Sequence, residues 1–185
     1  MKKGELIIMP TDTVYGLCAM LYDEEALERI FILKGREQTK QIPILLSSIN
    51  EAKEIGIISK QAEVIMKHFW PGALTIVLRT TETFKSKTGE STIALRIPNH
   101  PVALQLLKQY GPMRATSVNL SGQQPLTKID EIKRTFGHSV KEIYEQHEKA
   151  LNVSSTVIDL TDKLKIMREG TITLKELEAV LSRLN

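Results

Sequence analysis

The first apolar run of the chain, Leu6-Ile7-Ile8-Met9, stops at Pro10, and the pattern predicts a buried strand over residues 5–9. Thr11, Asp12, Thr13 and Tyr15 crowd the turn that follows, ahead of Gly16. Hydroxyls gathered at a strand end either shape a turn or hold a ligand. "DEEALERIFILKGR" then reads as a helix. Asp23 caps it, Glu24 and Glu25 suit its first turn, and Leu27, Ile30 and Phe31 share one face. Residues 42–47 are a second strand candidate. Ser59 opens a helix with Ala62, Ile65, Met66 and Phe69 inward, ended by Pro71-Gly72. Residues 73–79 and 91–98 are rich in β-branched and aliphatic side chains and predict strands.

Residues 101–111 predict a short helix opened by Pro101 and stopped at Gly111. A strand over 114–119 leads into the loop "LSGQQPL", and "KIDEIKRTFG" is a helix. The segment from Ser139 to Leu151 is ambiguous between helix and strand. Residues 154–160 and 163–170 predict a pair of strands around Thr161-Asp162. Thr173 and Glu176 form a capping box for a closing helix lined by Leu177, Val180, Leu181 and Leu184. Several strands adjoin without a helix between them. That favours an α/β fold with a twisted, mixed parallel and antiparallel sheet and packed helices over an alternating Rossmann or barrel pattern. No repeat, low-complexity tract or linker breaks the chain, so one domain over residues 1–185 is expected.

Composition narrows the classes. A hydrophobic fraction of 42% and a charged fraction of 25% describe a globular chain, and a net charge of +3 does not by itself argue for nucleic-acid binding. A single cysteine, Cys18, excludes an intramolecular disulfide and a cysteine-built zinc site; it reads as a small core residue or a reactive thiol. The apolar run after Lys2-Lys3 is too short for a signal peptide, and no apolar stretch reaches membrane-spanning length, so a cytoplasmic protein is expected.

The chain has no Gly-x-Gly-x-x-Gly, no Walker loop and no Gly-x-Ser-x-Gly elbow. His68, His100, His138 and His147 lack zinc-ligand spacing, so no protein-bound metal is expected. What remains is polar groups at strand ends. Lys34 and Arg36 either clamp a polyphosphate or complement a helix dipole. Thr116, Ser117, Asn119 and Ser121 either donate to phosphate oxygens or form an ordinary turn. Arg96 interrupts an apolar strand and needs an anionic partner, a protein carboxylate or a ligand, and Arg168 poses the same question. Cations with hydroxyls and an amide, without an obvious general base, point to phosphate-centred electrostatics. Trp70 reads as a core residue at a helix end, whereas Tyr15 is the better ligand candidate.

Taken in order, "PTDTVYGL", "KGR", "FWPGALTIVL", "ALRIPNHP", "TSVNLSG", "SSTVID" and "MREGTIT" resemble the YrdC-like family of threonylcarbamoyl-AMP synthases over nearly the whole chain. The resemblance implies a twisted sheet with an open basic cavity. It also implies an enzyme that joins L-threonine, bicarbonate or CO2, and ATP into threonylcarbamoyl-AMP with release of pyrophosphate. A separate complex would then modify an adenosine beside the tRNA anticodon. By motif, Lys34, Arg36, Ser117 and Asn119 are the implied catalytic tetrad around the phosphates, with Lys40 and Arg168 also on the nucleotide. Thr13, Val14 and Tyr15, with Arg96 and Ser155, are implied at the threonine. Mg2+ is expected with ATP, carried on its polyphosphate oxygens. Ser47 stands where many members have histidine, Val118 replaces an alanine, and the sequence suggests a short form without the extra C-terminal domain. Two alternatives stay open: an RNA-binding module of the same fold, taking tRNA or double-stranded RNA, and a branch with a different or lost carbamoyl-adenylate activity.

Overall fold

Residues 1–145 and 150–182 are described in the computed structural model. The strands are β1 (Ile7–Met9), β2 (Gly16–Met20), β3 (Ile44–Leu45), β4 (Leu74–Arg79), β5 (Thr92–Arg96), β6 (Met113–Ser117), β7 (Glu142–Ile143), β8 (Thr156–Asp159) and β9 (Lys165–Arg168). The helices are α1 (Glu24–Lys34), α2 (Ile49–Ile55), α3 (Lys60–Phe69), α4 (Glu82–Thr88), α5 (Pro101–Tyr110), α6 (Ile129–Phe136) and α7 (Leu174–Leu181). All nine strands join one sheet in the order β7-β1-β2-β6-β3-β5-β4-β8-β9. It is mixed: β1–β7, β3–β5 and β4–β8 run parallel, and the other neighbours antiparallel.

Strand periodicity assigns each residue to a layer. On β2, Leu17 and Ala19 face α1 and α6, while Cys18 turns to the α5 side with Ile7 and Met9. Cys18 is fully buried, and burial pushes its thiol pKa well up, so it is a core residue rather than a reactive thiol. A third apolar cluster sits between β4, β5 and β8 and helices α2, α3, α4 and α7. Trp70 belongs to it, with its indole Nε1 donating to Leu74 O at 2.7 Å.

Each predicted strand and helix has a counterpart, usually shorter, and three elements are additional. β2 follows the hydroxyl-rich turn directly and pairs with both β1 and β6. α2 carries a capping box between Ser48 and Glu51, and α4 a Thr81 cap and a left-handed Gly89. The ambiguous segment supplies the two-residue β7, and its residues 146–149, including His147, lie outside the described residues, as does Leu184. No helix among the described residues is long and apolar enough to cross a membrane.

Candidate active site

The helix end that delivers Lys34 and Arg36 is locally encoded. Asp23 accepts from Ala26 N at 3.0 Å to open α1, and Gly35 closes it in the left-handed conformation at φ 57°. That turn sends the neighbouring cations in different directions. Lys34 is buried, and its ammonium donates to Ser117 O, to Asn119 O at 2.7 Å and to Asn119 Oδ1 at 3.2 Å. Arg36 instead lines a cavity of about 330 Å3, held by Lys40 O at 3.3 Å and Gln41 O at 2.9 Å.

The rest of the wall comes from strand ends and turns: Thr13, Val14 and Tyr15 between β1 and β2, Arg96 ending β5, Ser117 ending β6, Ser155 before β8 and Arg168 ending β9. Ser155 Oγ lies 2.7 Å from Thr75 Oγ1, and Arg168 donates to Ser155 O from Nε at 3.1 Å and from NH2 at 2.9 Å. Behind them Thr156, fully buried, accepts from Gly170 N at 2.9 Å and Ile172 N at 3.0 Å. Gly170 is packed so closely there that a Cβ would lie 2.5 Å from Ser154 O and 2.6 Å from Thr156 N.

The cavity thus unites Thr13, Tyr15, Arg36, Arg96, Ser117, Ser155 and Arg168. It leaves out Lys34 and Asn119, which sit behind Ser117, and Lys40. The Lys34 ammonium organises the Ser117–Asn119 turn from inside. Asn119 completes that turn by accepting from Ser117 Oγ at 2.5 Å and donating to Leu120 O and Gln123 O. Lys40 faces Glu37 at 3.5 Å on the exposed surface. Ser47 also lies off the wall, its hydroxyl donating to the Glu51 carboxylate.

Arg96 has its anionic partner within the chain: NH2 meets Asp12 Oδ1 at 2.6 Å, with both side chains largely shielded from water. Asp12 therefore does more than shape a turn, whereas Thr11 does shape it, donating to Val14 O at 2.6 Å. Among the described residues, Arg36 and Arg168 have carbonyl and hydroxyl acceptors and no carboxylate. Burial lowers the pKa of all three guanidiniums, and Asp12 opposes that effect only at Arg96. The Lys34 ammonium is brought down to about 8, by burial first and by Arg36 second. Positive charge at Arg36 and Arg168 thus meets no carboxylate among the described residues, and Arg168 acts electrostatically on Arg96, whose own charge Asp12 pairs. Thr75 is a wall residue that the sequence reading did not name; a threonine inside the apolar run "ALTIVL" was the available signal for it. No group of three or more His, Cys, Asp or Glu side chains among the described residues is arranged to hold a metal ion.

The sequence profile of the Sua5/YciO/YrdC family, described as "Telomere recombination", matches residues 1–170. A threonylcarbamoyl-AMP synthase of Pyrococcus abyssi is 36% identical over 99% of this chain and 55% of its own length. One of Bacillus subtilis is 33% identical over 98% of this chain and 54% of its own. The chain therefore spans about half the length of these curated relatives. Among solved structures, P. abyssi Sua5 complexed with L-threonine superposes with a TM-score of 0.88 and 37% identity, over 96% of this chain and 54% of that one. With a profile match over most of its length, and a sheet and cavity of the kind the motifs implied, the chain belongs to the Sua5/YciO/YrdC family.

Proposed function

We propose that this chain forms threonylcarbamoyl-AMP from L-threonine, bicarbonate or CO2, and ATP, releasing pyrophosphate. The observation that carries the reading is the polarity of the cavity: Arg36 and Arg168 meet no carboxylate among the described residues, Arg96 is paired with Asp12, and hydroxyls line the same wall. Relatives that bear the synthase name, and a solved relative complexed with L-threonine, support it.

The chemistry follows from that polarity. Threonine's amine adds to CO2 and loses a proton to give a carbamate, a weak nucleophile that reverts readily in water. A carbamate oxygen then bonds to the α-phosphorus of ATP as the bond from that phosphorus to the pyrophosphate oxygen breaks. Arg36 and Arg168 reduce the repulsion between the two anions and stabilise charge on the departing pyrophosphate. Holding both reactants in one cavity offsets on the order of 7–11 kcal/mol of the barrier. Ser117, now donating to Asn119 Oδ1, would turn its hydroxyl proton to a phosphate oxygen when nucleotide binds, while Thr13, Tyr15, Arg96 and Ser155 bound the amino acid. Mg2+ would arrive with ATP, bound through phosphate oxygens and water, because the wall supplies arginines and hydroxyls rather than a carboxylate cluster. The product would pass to a separate complex that modifies tRNA.

The test is mass spectrometry of a reaction run with 13C-bicarbonate. Labelled threonylcarbamoyl-AMP, absent when threonine is omitted, is expected. Unlabelled ATP returned intact, with retained affinity for unmodified tRNA, would instead favour an RNA-binding module.

A further inference from the structure

The Asp12–Arg96 pair does more than satisfy a buried charge. Arg96 donates from Nε to Gly72 O at 2.9 Å, from NH1 to Thr13 Oγ1 at 2.7 Å and from NH2 to Asp12 Oδ1 at 2.6 Å. All three guanidinium nitrogens are engaged, so its orientation is fixed. An arginine only donates, so Thr13 Oγ1 accepts there and gives its own proton to Thr11 Oγ1 at 3.0 Å, which in turn donates to Val14 O at 2.6 Å. The relay runs in one direction, from guanidinium to backbone. Asp12 Oδ1 also accepts from Asn99 N at 3.0 Å, tying the first turn to the segment that follows β5. Through their backbone carbonyls, Asp12 and Thr13 accept from Leu151 N and Asn152 N, both at 2.9 Å, just ahead of Ser155.

A guanidinium only 6% exposed and stripped of its carboxylate would draw an anion from solution. This cavity is, on the reading above, one that must release an anionic product while retaining a zwitterionic amino acid. Resting on that reading, we propose that Asp12 is a positioning residue. It cancels the charge of Arg96 and fixes its guanidinium, so that Arg168, bonded to Ser155, is the one cation left unpaired at the amino-acid corner among the described residues, and the corner takes a zwitterion and holds a free anion such as phosphate or pyrophosphate less tightly.

The test uses Asp12→Asn, whose amide oxygen still accepts hydrogen bonds but carries no charge, and sulfate as the anion, titrated calorimetrically at constant ionic strength. Asp12→Asn should bind sulfate about tenfold more tightly than the wild type, and adding Arg96→Gln should abolish that gain. The threonine KM of Asp12→Asn should rise about tenfold while that for ATP stays within about twofold, a split that general loosening of the fold would not give. Asp12→Glu, which keeps the charge but displaces it, should show wild-type sulfate affinity with a raised threonine KM. Sulfate affinity equal in Asp12→Asn and wild type would overturn the proposal, as would a gain that survives Arg96→Gln or appears equally in Asp12→Glu. The sulfate comparison needs no turnover, so a wild type inactive with threonine would defeat the functional reading while leaving the role of Asp12 decided on its own.

Discussion

Replacing Lys34 with methionine separates a residue that shapes the site from one that touches the phosphates. Methionine keeps the apolar stem and removes the ammonium. Three acceptors then lose a donor: Ser117 O, Asn119 O and Asn119 Oδ1. Asn119 Oδ1 retains Ser117 Oγ at 2.5 Å, so two backbone carbonyls bear the loss. Each buried, unsatisfied acceptor costs about 1–3 kcal/mol, partly offset because the variant no longer buries a charge. A net loss of about 3 kcal/mol follows, which for a chain of this size lowers Tm by roughly 6–12 °C. Denaturant unfolding and thermal melting measure the stability, and calorimetric titration with a non-hydrolysable ATP analogue measures binding. Binding should weaken in step with the loosened Ser117–Asn119 turn. A variant as stable as the wild type that has lost nucleotide binding would refute the reasoning, because Lys34 would then contact the phosphates directly.

The same ammonium gives a pH signature. Its folded-state pKa of about 8 lies below the ordinary 10.5, so between those values the unfolded chain holds a proton that the folded chain lacks. Stability of the wild type relative to Lys34→Met should therefore increase with pH through that window; a flat or falling difference in unfolding free energy would contradict the assignment. Gly170→Ala drives a methyl to 2.5 Å from Ser154 O and 2.6 Å from Thr156 N, both backbone atoms that cannot swing aside. A loss of about 1–3 kcal/mol is expected, with weaker nucleotide binding through the displaced Arg168, and unchanged melting would count against that packing. Arg36→Ala should slow adenylate formation about 100-fold while melting shifts little, since among the described residues Arg36 bonds only to carbonyls of its own loop. A large drop in Tm would make it a structural residue.

Most elements were legible because their signals are local. The Asp23 cap, the Thr173–Glu176 box and the apolar strand runs each lie within a few residues. α2 and α4 have equally local caps at Ser48 and Thr81, but seven residues give too few turns to establish a helical period. β2 was hidden because the hydroxyl-rich turn continues straight into it through Gly16. At the site, residue types near strand ends pointed to the wall, and motif resemblance brought Arg168 into one cavity with Arg36 and Ser117. The direction in which a side chain points was not legible. Lys34 and Arg36 are two residues apart, yet what sends one inward is a left-handed glycine together with acceptors more than 80 residues further along. Asp12 looked like turn chemistry because its partner, Arg96, is likewise distant in sequence.

The central claim is that one cavity joins an amino acid, a one-carbon unit and ATP. It is tested most directly by pyrophosphate release from ATP and Mg2+, with threonine and bicarbonate each omitted in turn and serine in place of threonine. The account predicts release that requires both co-substrates and is slower with serine. Release indifferent to threonine, or none with all substrates present, would contradict it.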